Sequence, residues 1–270
     1  ASFGDVTLVD SEISGNGGNN GFGGGGIRAG AGAVTLHNST VSGNTQDAGI
    51  RAFGGAVTLY NSTVSDNNGR SGGITSSSGA VTLIDSRVIG NRSAFEHGGG
   101  IYSSSGEVTA IASTISGNSG EEKGGGIYTR FASVTLIGST VAGNTTHGVG
   151  GGGIYTRIGD VTLIDSTVSG NTAAISFTRG GGIRVSLGAV NVTNSTISGN
   201  TAHSSGGAIH VNSGAVTIAS STIVENIVTE GAGGGVTMSI FSSEFPLTIQ
   251  NSIVARNTAS SAPDLQPGAD

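Results

Sequence analysis

The stretch GGGIYTRFASVTLIGSTVAGN, residues 124–144, is followed one unit later by GGGIYTRIGDVTLIDSTVSGN, residues 151–171. The two agree almost letter for letter, and both close on Asn. The closing phrase occurs ten times along the chain. Its starts, at positions 5, 33, 56, 80, 107, 133, 160, 189, 215 and 246, lie 28, 23, 24, 27, 26, 27, 29, 26 and 31 residues apart. A second phrase, Gly-Gly-Ile or a near variant, precedes most copies. The distance from its Ile to the next Val is constant, as in Ile27 to Val34, Ile74 to Val81 and Ile209 to Val216; only the last unit, Val236 to Leu247, departs from it. Length variation sits between the Asn and the next glycine run. A fixed period of this size, with insertions at one corner, is the mark of a repeat architecture.

Inside each phrase apolar and polar residues alternate, as in Val81, Thr82 and Leu83, which is the period of a strand. Val, Ile and Thr favour strands, and Gly, Ser, Asn and Asp separate them. No stretch carries helical periodicity with caps. The pattern predicts an all-β fold: a single parallel β-helix, or β-solenoid, of about ten coils, three short strands per coil, and its right hand is what the family resemblance given below implies. Stacked at about 4.8 Å, ten coils make a rod on the order of 45–50 Å long. Residues 1–260 are assigned to the β-helix and 261–270 to a C-terminal extension. Parity places Ile127, Val134, Leu136 and Val141, with their equivalents, in the core.

The terminal asparagines are Asn16, Asn44, Asn67, Asn91, Asn118, Asn144, Asn171, Asn200, Asn226 and Asn257. A row of ligand-binding amides is one reading. The stronger one is structural: stacked amides donate and accept along the rod, so each satisfies its neighbour. Asn also tolerates the left-handed conformation that a sharp corner needs.

Composition limits the function. Gly is 51 of 270 residues, yet it does not recur every third position, so collagen is excluded. There is no Cys, hence no disulfide and no thiolate metal site. The net charge of -6, with one Lys and scattered Arg, argues against nucleic acid. No apolar window is long enough for a membrane-spanning helix. The start, without Met or leader, reads as a mature form or an excised portion. The run GFGGGGIRAG at residues 21–30 lacks both the βαβ setting of a dinucleotide site and the acids of a calcium repeat. No cofactor and no metal are expected. The five histidines read as surface polar residues.

The Gly-Gly-Ile phrase, written GGAI at residues 206–209, and the aliphatic-x-x-Asn ending resemble the repeat pair of polymorphic outer-membrane-protein autotransporters. That family usually has Phe where Val or Ile stands here. The longer unit and the ending NSIVARNTASSAPDLQPG, residues 251–268, resemble bacterial secreted right-handed parallel β-helix proteins of the pectate-lyase-like superfamily. The resemblance covers nearly the whole chain. It implies the fold and a secreted, periplasmic or cell-surface place in a bacterium. The superfamily also contains polysaccharide lyases and hydrolases, which need clustered carboxylates. Asp10, Asp85 and Asp165 share a column but stand several coils apart, and Glu121 and Glu122 lie in a variable loop.

Three surface features qualify as contacts. Ile84, Ile111, Ile137 and Ile164 form an apolar stripe beside Tyr60, His37 and Thr193, facing outward or turned in as extra core. Tyr102, Tyr128 and Tyr155 follow the Gly-Gly-Ile phrase and are expected to point outward with Arg130 and Arg157, which suits a sugar or an anionic partner. A threonine column running from Thr7 to Thr162 resembles ice-binding solenoids, although Arg87, Ile89 and Ala142 interrupt its neighbour. The reading is a non-catalytic extracellular or surface scaffold that binds a protein or glycan partner on one face or on the rod ends, end-to-end self-assembly included. A polysaccharide lyase or glycoside hydrolase is the alternative, and an ice-binding protein the second. The post-Asn loops, including RSAFEHG at residues 92–98 and TAAISFTRG at residues 172–180, are expected to diversify one edge.

Overall fold

The computed structural model describes residues 4–17, 25–95, 97–173, 175–239 and 245–266. Gly21 to Gly24 of the glycine run, Glu96 and Ala174 of the two loops, and positions 267–270 lie outside these. Among the described residues there is no helix. All strands pair in parallel, each with its equivalents in the coils before and after. The chain is a parallel β-solenoid of about nine turns, consistent with the right hand that parallel crossovers adopt.

One coil shows why. Ile127–Thr129 belongs to a Gly-Gly-Ile sheet, Val134–Ile137 to a Val-Thr-Leu sheet and Thr140–Ala142 to a Ser-Thr-Val sheet, each of ten strands. A fourth, eight-stranded sheet follows the asparagines and is built from pairs such as Thr145–Thr146. The expectation of three strands per coil is corrected to four. Two-residue strands are too short for alternation to show, so the post-Asn strand reads as loop in the sequence.

Alternation does set which side chains face in. Ile127, Val134, Leu136 and Val141 are 0% exposed, and each stacks on the same kind of residue above and below. The core is one continuous set of such columns. At the corner between the Val-Thr-Leu and Ser-Thr-Val strands the chain turns through a left-handed residue. Asp10, Asn38, Asp165 and Asn194 have φ of 47°, 48°, 52° and 49°. At the next corner the left-handed residue is the one before the asparagine, Gly143 with φ 62°, or Asp66 with φ 55°. The terminal asparagines themselves are not left-handed, which corrects that expectation; their side chains are what the corner needs.

Two polar ladders run the length of the rod. Asn118 Nδ2 donates to Asn144 Oδ1 at 2.9 Å, and Asn144 Nδ2 to Asn171 Oδ1 at 2.9 Å; the series is unbroken from Asn16 to Asn257. Each Oδ1 also accepts the backbone N–H of the preceding asparagine, as Asn144 Oδ1 does from Asn118 at 2.9 Å. Each inner Nδ2 also reaches a carbonyl of the previous coil, such as Ile115 O from Asn144 at 3.0 Å. The asparagines from Asn44 to Asn226 are 0% exposed, and every polar atom of these amides has a partner. The second ladder is of serines. Ser113 N donates to Ser139 Oγ at 3.0 Å and Ser139 N to Ser166 Oγ at 3.1 Å. The serine stands in all ten phrases, as the seventh residue of each. Its recurrence at one place in every phrase is the signal in the sequence that marks it.

The C-terminal segment beyond residue 260 carries Leu265–Gln266, which pair with Val236 and Thr237 as the tenth strand of the Gly-Gly-Ile sheet.

Candidate functional site

The tyrosines stand on the Gly-Gly-Ile sheet with their inward neighbours, such as Ile127, in the core. They therefore leave the core on the opposite side, as parity requires. They are not exposed, however. Tyr128 is 2% and Tyr155 6% exposed. The loops after the asparagines fold back across this sheet and cover the column. His97 packs edge-on against Tyr102 and Tyr128 at 5.8 and 4.9 Å, and the Lys123 ammonium lies 5.8 Å from the Tyr128 ring centre. Tyr102 and Tyr128 stack at 5.5 Å with an 8° interplanar angle. Burial, with Tyr155 and Tyr102 beside it, pushes the Tyr128 hydroxyl up to about 12. The expected open tyrosine face is thus a covered one, because the glycines at the loop ends let the backbone return close to the sheet. At Gly124, with φ 64°, an added Cβ would stand 2.8 Å from the Tyr128 Cβ.

Arg130 and Arg157 do reach the surface, away from that cover. Their guanidinium groups flank the Phe131 ring at 4.8 and 5.9 Å, and Phe131 is 46% exposed. The structure therefore keeps the two arginines within electrostatic reach of Tyr128 and joins them to a phenylalanine that sequence parity gave no reason to select.

The tyrosine column continues in register into Arg184 and His210. The Arg184 guanidinium lies 5.0 Å from the Tyr155 ring centre, and its Nη1 donates to the Val149 carbonyl. Burial pulls the Arg184 pKa down. His210 is buried, which corrects its reading as a surface histidine. Its Nδ1 accepts the Ser205 hydroxyl at 3.0 Å, and its Nε2 donates to Asn212 Oδ1 at 2.7 Å. Ser205 and His210 line a cleft of about 370 Å3 together with Arg179, Ser204, Thr237 and Gln266. Hydroxyl, imidazole and amide are ordered like a nucleophile, its base and an orienting group. The base is too weak for that work. Burial first, and then Arg184, pull the His210 pKa down to about 3, far below the range in which an imidazole takes a proton efficiently near neutral pH. The arrangement acts as a fixed hydrogen-bond relay tying the loop to the sheet. His210 and Asn212 stand in one strand, Ile209–Ser213, and Ser205 in the loop just before it.

The isoleucine stripe faces outward. Ile84, Ile111, Ile137 and Ile164 are direct neighbours in the Val-Thr-Leu sheet, with Ile111 and Ile137 each 36% exposed. Val9, His37 and Tyr60 continue the same column toward the N-terminus. His37 and Tyr60 stack at 4.7 Å with their planes 2° apart. The threonine column from Thr7 to Thr162 runs beside it on the same face. The second reading of these isoleucines, as core, is excluded by their place.

Carboxylates are mostly engaged in holding the coils. Asp5 and Asp160 accept the backbone N–H of Ala33 and Ala189, each at 2.8 Å. Asp47 pairs with Arg51, Glu121 with Arg92, Glu122 with His97, Glu225 with Arg256 and Glu230 with His203. Among the described residues no three His, Cys, Asp or Glu converge as metal ligands, and no helix is long and apolar enough to cross a membrane.

With this geometry in view, the comparisons with known proteins fall into place. The family model for the Chlamydia polymorphic membrane protein repeat matches residues 112–130 and 194–212. Both segments begin at the left-handed corner and take in the ladder serine, the ladder asparagine and the following Gly-Gly-Ile or GGAI phrase, ending past Tyr128 and His210. The chain is a bacterial-type β-helix repeat protein whose repeats resemble that family's. No curated protein and no solved structure gives a significant match.

Proposed function

We propose that the chain is a non-catalytic scaffold at a bacterial cell surface, and that its flat Val-Thr-Leu face docks a protein partner through the isoleucine stripe. The repeat match supports a cell-surface or outer-membrane-associated protein of a bacterium. One observation carries the docking role: an unbroken column of Val, His, Tyr and four Ile on the outside of a regular ten-stranded sheet. Outward positions of a sheet that meets only water are usually polar, and contiguous apolar area on a soluble surface marks a contact. A rigid solenoid presents that column without ordering cost on binding, which favours affinity. Most of the carboxylates that hydrolysis or elimination would recruit are committed to pairs and caps dispersed along the rod, which weakens the enzymatic reading.

The test is the double variant Ile111→Lys, Ile137→Lys. Both side chains face out, so the circular-dichroism spectrum and melting temperature should match the parent. Labelled parent chain is applied to arrays of bacterial and host surface proteins and, in parallel, to glycan arrays. Binding to proteins that the double variant loses supports the reading. Binding confined to glycans, binding unchanged in the variant, or release of unsaturated or reducing sugar from acidic polysaccharide would each overturn it.

A further inference from the structure

The Val-Thr-Leu sheet is bordered by an apolar column on each side. The isoleucine stripe stands where its strands end. Where they begin, at the corner that leads from the Gly-Gly-Ile sheet into Val134–Ile137 and its equivalents, stand Phe131, Ile158 and Leu187, which are 46%, 41% and 49% exposed. Ile158 pairs in register with Leu187, and Ile158 N donates to Arg130 O at 3.1 Å, which sets Phe131 beside Ile158. Ser213 takes the place of Leu187 in the coil after, and Ser105 that of Phe131 in the coil before. Bulky apolar side chains therefore fill this corner through three successive coils and give way to serine on either side. From Phe131 to Ile137 is at most about 20 Å along the strand. A partner of ordinary interface size, about 800 Å2 on each side, that covers the sheet reaches both borders.

The second border also carries charge. Thr129 is in register with Thr156, so Arg130 and Arg157 stand side by side on adjacent strands, about 4.8 Å apart at the backbone. Like charges in that relation repel. Among the described residues neither guanidinium group makes a hydrogen bond or an ion pair, whereas Arg51, Arg92 and Arg256 each have a carboxylate. The acids of this corner, Glu107 and Asp160, stand just before Val108 and Val161 and form no ion pair with the two arginines; Asp160 Oδ1 accepts the N–H of Ala189 at 2.8 Å. Both guanidinium groups lie over the Phe131 ring, at 4.8 and 5.9 Å. We propose that the protein partner of the Val-Thr-Leu face carries an acidic segment with bulky apolar side chains, seated with its carboxylates on Arg130 and Arg157 and its apolar side chains along Phe131, Ile158 and Leu187. This rests on the reading of that face as a protein-docking surface and adds the chemistry of the partner. A carboxylate meets a guanidinium fork with two parallel hydrogen bonds, and the guanidinium gives up its water more readily than an ammonium does. A glycan fits less well, because the arginines occupy the ring face on which a sugar would stack, and Ile158 and Leu187 offer its hydroxyls no partner.

A displayed library of random twelve-residue peptides, selected on the full chain, supplies the probe. The recovered peptides should be enriched in Asp or Glu beside Leu, Ile or Phe. Their affinity should fall about tenfold or more for the double variant Arg130→Gln, Arg157→Gln, and should weaken in the parent as salt rises. Both arginines are exposed, so this variant should keep the circular-dichroism spectrum and melting temperature of the parent. Leu187→Ser leaves the charge unchanged and should weaken the same peptides. The inference is overturned if selection yields no peptides or peptides without acids, or if affinity is equal for the parent and the arginine variant. It is equally overturned if dextran sulfate or phosphatidylglycerol vesicles bind the same arginines more tightly than the peptides do. Binding lost in Ile111→Lys, Ile137→Lys and untouched in the arginine variant overturns this inference alone and leaves the stripe standing. The reverse pattern supports the acidic seat and counts against the stripe.

Discussion

At the residue scale, two kinds of polar group are hidden in this rod, and they behave differently. The ladder asparagines and serines are neutral, so their burial costs only the need for partners, which the stack supplies. His210 is ionisable, and its burial makes it titrate against the fold. Its pKa is held at about 3, below the ordinary value near 6.5 of an unfolded chain. Between those values the unfolded state binds a proton that the folded state refuses, so stability falls as pH drops through this window, by roughly 1.4 kcal/mol per unit. Above pH 6.5 the contribution is fully present. The melting temperature of the parent should therefore decline more steeply between pH 6.5 and 4.5 than that of His210→Gln. Parallel curves for the two, measured by calorimetry, would remove His210 as the cause.

At the element scale, the Val-Thr-Leu strand separates core from surface in adjacent letters. Leu136 is 0% exposed and lies between Ala110 and Leu163 in the column. Ile137 is its neighbour in sequence and faces water. Leu136→Ala should cost about 2–5 kcal/mol, the range for a core cavity. Ile137→Ala should cost less than about 1 kcal/mol, since a surface substitution removes only partial burial. Chemical denaturation of the two variants checks the contrast, and equal costs would contradict the assigned parity. Alternation of this kind is legible in the sequence because a strand forces it. The post-Asn strand and the loop cover over the tyrosines were not legible. A strand of two residues has no period, and whether a loop folds back depends on contacts such as His97 against Tyr128, which join coils 26 residues apart in register.

For the whole molecule, stability is a sum of interfaces between successive coils. A lesion in the middle disturbs two interfaces, and a lesion at an end disturbs one. Asn144→Ala deprives Asn118 N and Nδ2 of their shared acceptor and Ile115 O of a donor, and leaves Asn171 Oδ1 with only the backbone N–H of residue 144, all in a fully buried setting. Buried groups left unpaired cost about 1–3 kcal/mol each, so this single change should lower stability by about 2–5 kcal/mol. Asn16→Ala, at the exposed first coil, removes the side-chain donor to Asn44 Oδ1 while the backbone N–H stays, and should cost about 1 kcal/mol or less. Equilibrium denaturation monitored by circular dichroism distinguishes them. A cost that does not depend on place along the rod would argue against a stack held by neighbour contacts.

The sequence by itself determined the stacking, the parity of each strand and the role of the terminal asparagines, because every coil must meet a near-copy of itself and so must repeat its letters. Even the serine ladder was written there in full. Tertiary structure alone decided that Tyr128 is covered while Ile137 is open, that Arg130 and Arg157 flank Phe131, and that His210 is buried. It also decided that Asp264 accepts the two bonds that Asn257 would otherwise give to an asparagine. These outcomes turn on where irregular segments come to rest against the regular stack, and the repeat rule fixes the place of each strand but not the path of the loops between strands.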